Sequence, residues 1–187
     1  MAMLNALDVS VGKPLAAGGI HAGPTTATVP TDATTPLDED IVGLGYVSDQ
    51  GLTNGIAMTT SDVTAWGGDT VLTVRTARTE TFTWSFIETN AAVMAQVYGP
   101  DNVTETNGEL VVLHTNDELP NQLYVFEIAM TGNKVKRIVV PNGKITEISD
   151  VSYVDGDPIA YGVTLNCFPD ENGVTVYEYI ASVENGS

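Results

Sequence analysis

Residues 65–86 read AWGGDTVLTVRTARTETFTWSF. The second half alternates: Phe82, Trp84 and Phe86 fall on one side, Thr79, Thr81, Thr83 and Ser85 on the other. Successive side chains of a strand point to opposite faces, so this is a β-strand with one dry face and one wet face. The wet face carries hydroxyls, although the chain as a whole is strongly acidic.

The same alternation recurs along the chain. ELVVLHT (109–115), LYVFEIAM (123–130), IAYGVTLNCF (159–168) and GVTVYEYI (173–180) all read as strands. In the third, Ile159, Tyr161, Val163, Leu165 and Cys167 share a face. Asn-Gly pairs at Asn54, Asn107, Asn142 and Asn172 mark tight turns, because Asn and Gly tolerate positive φ. KRIVVPNGKITEI (136–148) then predicts two strands around a hairpin tip at Pro141-Asn142-Gly143. One segment has helical spacing, TNAAVMAQVYGP (89–100), with Val93, Met94, Val97 and Tyr98 as its apolar stripe. Thr89 or Asn90 caps its start, and Gly99-Pro100 stop it, giving a helix at about 89–98. Many strands and one short helix predict a mainly β domain, a sandwich or barrel with the helix closing one side.

Residues 1–37 differ from the rest. Pro14, Pro24, Pro30 and Pro36 interrupt regular structure, yet Leu15, Ile20, Val29 and Leu37 are spaced through the segment. Low charge with scattered apolar residues predicts an extended arm that orders against a neighbour, leaving 38–187 as the folded domain. At 187 residues the chain is long enough for one domain with a core, burying roughly 70% of its unfolded surface.

The charge is the outlier: seven basic residues against twenty-four acidic ones, net −17. No Lys or Arg lies between Thr79 and Asn133, and none follows Lys144. Lys134, Lys136, Arg137 and Lys144 are crowded together. Such a surface repels nucleic acid and anionic lipid, so binding through phosphate neutralisation is excluded. The single cysteine, Cys167, allows no intrachain disulfide and lies on a core face. The N-terminus lacks the basic flank and apolar run of a signal peptide, and no window reaches the length of a membrane span.

Catalytic chemistry has little to work with. His21 and His114 are the only histidines, and neither has a local nucleophile or carboxylate arranged around it. VGLGYVS (42–48) lacks the third glycine and the helix of a dinucleotide loop. DGDP (155–158) is half a calcium loop at most and reads as a turn. No catalytic, cofactor-binding or metal-binding residue is assigned, and the chain reads as a non-enzyme. A monomeric β-sandwich binding or adhesion module is the alternative reading, disfavoured by the absence of disulfides and by few aromatics for sugar stacking.

Three blocks, PTDATTPLDEDIVGLGYVSDQGLTN (30–54), AWGGDTVLTVRTARTETFTWSFIETN (65–90) and KRIVVPNGKITEISDVSYVDGDPIAYGVTLNCFPDENGVTVYEYI (136–180), together resemble the major tail tube protein of long, non-contractile-tailed bacteriophages. The resemblance implies a β-sandwich-like tail tube domain with a flanking helix. It implies hexameric rings stacked into a hollow tube, with neighbouring sheets lining a lumen that DNA crosses without specific binding. It implies that the arm, about Gly12 to Leu37, and a long loop, about Asp49 to Asp69, make ring-to-ring contacts. It further implies a virion location after assembly in the host cytoplasm, no cofactor, and tape-measure, tail terminator and distal tail proteins as partners. The chain ends at Ser187, from which no C-terminal immunoglobulin-like decoration domain is expected. Within this frame Glu80, Glu127 and Glu147 are candidate lumen acids. Leu15, Ile20, Val29, Leu37, Trp66, Lys134, Lys136 and Arg137 are candidate inter-subunit contacts.

Overall fold

In the computed structural model, which describes residues 9–15 and 19–183, the alternation at residues 79–86 belongs to a strand 17 residues long. In chain order the strands are β1 (Gly12–Pro14), β2 (Ile20–Pro24), β3 (Val42–Gly43), β4 (Thr53–Thr64) and β5 (Thr70–Phe86). The helix α1 (Ala91–Tyr98) and a 3-10 turn at Pro100–Asn102 follow. Then come β6 (Val103–Thr106), β7 (Glu109–Val112), β8 (Gln122–Met130), β9 (Lys134–Ile148), β10 (Tyr161–Cys167) and β11 (Tyr177–Ser182). Strand makes up 49% against one short helix, so the fold is mainly β, as the alternation requires.

One antiparallel sheet has the order β3-β2-β8-β9-β10-β5-β4, with β1 added to β8 and β11 to β9. The hairpin β6-β7 stands apart, turning at Asn107 (φ 52°) and Gly108 (φ 82°) as the Asn-Gly pair predicts. The central strands are dry on both faces. Tyr124 and Phe126 of β8 join Phe82, Trp84, Phe86, Val163 and Leu165 in the main core, while Leu123 and Val125 join Ala27, Ile41 and Val139 in a smaller one. Trp84 packs edge-on against Phe86 and Phe126, each with ring centroids 5.5 Å apart. The helix adds Val93, Met94 and Val97 to the main core. Its cap is Asn90, whose side chain accepts from the Val93 amide at 2.8 Å.

The Pro141-Asn142-Gly143 tip is corrected. β9 runs unbroken through it, and the register passes from Tyr124↔Val140 to Gln122↔Gly143. One residue of β8 therefore faces two of β9, which is a β-bulge at Pro141-Asn142, a place where a ladder tolerates proline. The bulge lets Val140 and Ile145, five apart, point into the same core. The true turn is Thr131–Asn133, with Gly132 at φ 78° and Asn133 at φ 54°. Asn54-Gly55 likewise lies inside β4 rather than at a turn.

The segment assigned to an arm is partly built into the body. Its residues 1–8 and 16–18 lie outside the described residues. β1 and β2 both pair with β8, from Gly12↔Met130 to Pro24↔Gln122. Ile20 and Ala22 enter the main core, and residues from Ala27 to Ile41 cover the smaller one. Short strands made of His, Gly and Pro carry too little alternation to be read in advance.

Candidate assembly surfaces

The expected loop at Asp49–Asp69 is an ordered ribbon instead. β4 and β5 pair from Thr53↔Thr83 to Thr64↔Thr70, and every residue from Ile56 to Thr79 is exposed. Cross-strand partners share a face. Ile56 with Glu80 and Met58 with Arg78 therefore lie on one side, and Ser61 with Val74 and Val63 with Leu72 on the other, after a bulge between Thr59 and Thr60. The tip is closed by the Ala65 amide donating to the Asp69 carbonyl at 2.8 Å. Trp66 there is fully exposed, and Met58, Val63, Val71 and Leu72 are more than two-fifths exposed. A two-stranded hairpin is marginal in water on its own, and a run of exposed apolar side chains marks an interaction surface. The outer edge of β4 also has no strand partner among the described residues, leaving a row of backbone donors and acceptors open to another chain.

A second surface runs across the sheet. Thr53 pairs with Thr83, Thr83 with Thr164, and Thr164 with Glu147. This row of hydroxyls ending in a carboxylate lies on the back of the strands that carry Phe82, Trp84, Val163 and Leu165 into the core.

The candidate acids are therefore not equivalent. Glu147 is exposed. Glu80 is only 8% exposed and pairs with Arg78 at 2.8 Å, while Thr175 and Asn54 also donate to it. Glu127 faces its cross-strand partner Arg137, whose Nε donates to it at 3.0 Å.

The basic cluster is mostly engaged at home. Lys136 pairs with Glu178 at 2.9 Å and Lys144 with Glu118 at 2.6 Å. Arg137, 4% exposed, also donates from Nη1 to the carbonyls of Asp32 (3.0 Å) and Thr35 (2.8 Å). Arg137 is thus a structural clamp on the N-terminal covering segment within its own subunit, and Ile20 is a core residue. Leu15 is half-buried, and Val29 and Leu37 pack on the smaller core. Lys134 and Trp66 take part in no ion pair or core contact among the described residues.

Chemistry is sparse. Burial pushes the Cys167 thiol up to about 12, so it is no thiolate nucleophile at neutral pH. His114 stacks on Tyr98 at 4.1 Å, and His21 lies on β2. Among the described residues no group of three or more His, Cys, Asp or Glu is placed to hold a metal.

A family model described as "Phage tail tube protein" matches residues 11–185. The chain belongs to that phage tail tube protein family. As a tail tube protein it is a structural component of the virion tail, from a family that is not one of enzymes, and it assembles as an oligomer with other tail proteins. Among solved structures this tail tube protein is similar to one described as the anti-feeding prophage cap (AFP tube terminating cap), determined by cryo-EM. The two share 16% identity at a TM-score of 0.43, with 96% of this chain and 100% of that chain covered. Nothing matches among curated proteins. The features that residue patterns alone missed are the ordered ribbon and the continuous hydroxyl row. Both depend on register between distant strands, and the only local signal for the ribbon was the Trp66-Gly67-Gly68 run.

Proposed function

We infer that this tail tube protein closes into hexameric rings, and that the rings stack into the hollow tube of a long, non-contractile tail through which genomic DNA passes. The observation that carries this is the β4-β5 ribbon, which exposes Met58, Val63, Trp66 and Leu72 and whose outer part, from Ile56 to Thr79, pairs with no further strand among the described residues. Burying such a side chain is worth about 1.5–3 kcal/mol, so several copies docking together offset the cost of ordering them. A head-to-tail contact through open strand edges closes by rotation into a ring. Stacking those rings requires a different contact, and the ribbon supplies it.

In this arrangement the hydroxyl row Thr53–Thr83–Thr164 and Glu147 line the bore. Glu80 and Glu127 contribute little there, because each is neutralised by an arginine of its own subunit. Duplex DNA carries one charge per ~1.7 Å, and every neutralised phosphate adds affinity. A hydrated, uncharged to acidic lining does not grip it. Two unit charges ~10 Å apart in water repel by only about 0.4 kcal/mol before screening, which keeps the duplex off the wall without stopping it. Assembly takes place in the host cytoplasm, with tape-measure, tail terminator and distal tail proteins setting the length and ends of the tube.

Purified protein, concentrated and viewed by negative-stain microscopy, is expected to show six-fold rings and hollow tubes. Protein that remains monomeric at every concentration, by light scattering, would overturn this reading and favour a monomeric β-sandwich binding module.

A further inference from the structure

Four Asn-Gly pairs lie among the described residues, and the fold treats them differently; Asn185-Gly186 lies outside those residues. An asparagine followed by glycine can close on itself, the glycine amide nitrogen attacking the side-chain amide carbon. Three of the pairs are held against this. Asn54-Gly55 lies inside β4, paired Asn54↔Phe82 and Gly55↔Thr81, and the Asn54 Nδ2 donates to Glu80 at 3.3 Å. Asn142-Gly143 belongs to the β9 bulge, where Gly143 is buried and the Asn142 Oδ1 accepts from Asn121 at 2.7 Å. Asn172-Gly173 is exposed, but the nitrogen that must attack is engaged: the Gly173 amide donates to the Asp170 carbonyl at 2.9 Å.

Asn107-Gly108 has none of these restraints. Both residues are exposed at the tip of the β6-β7 hairpin, where the pair Thr106↔Glu109 closes a two-residue turn. Among the described residues neither the Asn107 side chain nor the Gly108 amide is hydrogen-bonded. Their φ values, 52° and 82°, are those of a type I′ turn. Rotating the single peptide between them converts I′ to II′, the other turn that suits a two-residue hairpin, with the flanking strands still paired. Asn107 keeps its φ while its ψ swings from about +30° to about −120°, which brings the Gly108 nitrogen round to the Asn107 side chain. Gly108 must reverse the sign of its φ, which glycine does at no steric cost.

We propose that Asn107 is a site of spontaneous covalent modification, turning into aspartate and isoaspartate through ring closure on Gly108. The Gly108 amide gives its proton to hydroxide, and its nitrogen forms a bond to Asn107 Cγ. The Cγ–Nδ2 bond breaks, and the nitrogen takes up a proton from water and leaves as ammonia. Water then opens the five-membered imide. Cleavage at Cγ gives aspartate; cleavage at the main-chain carbonyl gives isoaspartate. The net change is one water in and one ammonia out, with no oxidation. Each event adds a negative charge to a hairpin that already carries Glu105 and Glu109. The isoaspartate form also adds a carbon to the backbone of a two-residue turn and so breaks its I′ geometry, while Val103, Leu110 and Val112 hold the strands on the main core. This inference stands on the turn alone and does not depend on the tube reading.

The test ages the purified full chain at pH 6 and pH 8, digests it, and follows each Asn-Gly peptide by mass spectrometry. Isoaspartate is read separately by enzymatic methylation of its carboxylate. The Asn107 peptide gains about one mass unit at least about tenfold faster than those of Asn54, Asn142 and Asn172, a factor that about 1.4 kcal/mol of local opening imposes on the others. Its rate rises with pH, since the attacking amide must lose a proton. In urea the four rates converge. Asn107→Gly keeps a favoured turn sequence and abolishes the gain in that peptide. An Asn107 that reacts no faster than Asn172 in the folded chain overturns the proposal, as does a mass gain that survives Asn107→Gly. A lead that Asn107 keeps in urea overturns the role given to the turn.

Discussion

Arg137 shows how a residue's surroundings decide what it can do. In the sequence it is one of four neighbouring bases; in the fold it is buried, pinned to Glu127 and to two carbonyls of the covering segment. Replacing it by alanine leaves the half-buried Glu127 and two carbonyls without their partner and is expected to cost about 3 kcal/mol, at the lower end for a broken buried pair, measured by urea unfolding. Exchanging both residues for apolar ones of similar size should cost far less. His21 gives a second residue-scale expectation. Burial, the largest influence, holds its pKa below 6.5; Arg137 adds to this, while Glu127 and a backbone hydrogen bond with Val125 act against it. The unfolded chain therefore takes up that proton first as pH falls. The stability His21 confers is whole above about 6.5 and declines below it, before the carboxylates Asp32, Asp38 and Asp170 protonate from an ordinary value of 3.8 downward. Unfolding midpoints of wild type should drop between pH 7 and pH 5, and those of His21→Gln should drop less.

Among elements, α1 and the strands with one wet face were legible, because period is a local property. Asn90 and Gly99 bracket the helix as their chemistry requires, and Asn90→Ala should lose about 1 kcal/mol of unfolding free energy. β9 was not legible, because Pro-Asn-Gly suits a bulge as well as a turn. Only the partner strand, with one residue opposite two, distinguishes them. Deleting Asn142 takes away the extra residue and leaves Val140 and Ile145 four apart, still on one face of a regular strand, so the variant should keep cooperative unfolding by circular dichroism. The ribbon escaped reading for a related reason. Thr, Ala, Ser and Gly alternate with few core residues in β4, so nothing in its own composition separates an ordered strand from a loop. Of the candidate contacts, exposed Trp66 could be recognised from the glycines beside it. The engagement of Ile20 with Phe126 and of Arg137 with the Asp32 and Thr35 carbonyls within their own subunit could not, since these partners lie about a hundred residues away.

For the whole molecule, charge opposes what shape promotes. Each subunit brings a net −17 to the assembly, and most of its bases are already neutralised by its own carboxylates. Like-charged subunits repel over a Debye length of ~10 Å at 0.1 M salt and ~3 Å at 1 M. Tube growth followed by light scattering should therefore accelerate as salt rises; slowing by salt would mean that attraction between charges dominates the interfaces. Finally, β4 is twelve residues long, and at about 3.3 Å per residue its tip stands roughly 40 Å beyond its base. In the stack proposed above, where the ribbon bridges one layer to the next, that length would act as a ruler, with the axial repeat gauged by hydrogen-bonded backbone. Two residues added to each strand of the ribbon keep every side chain on its face and should stretch the spacing between layers by about 7 Å, a change that image reconstruction reads directly.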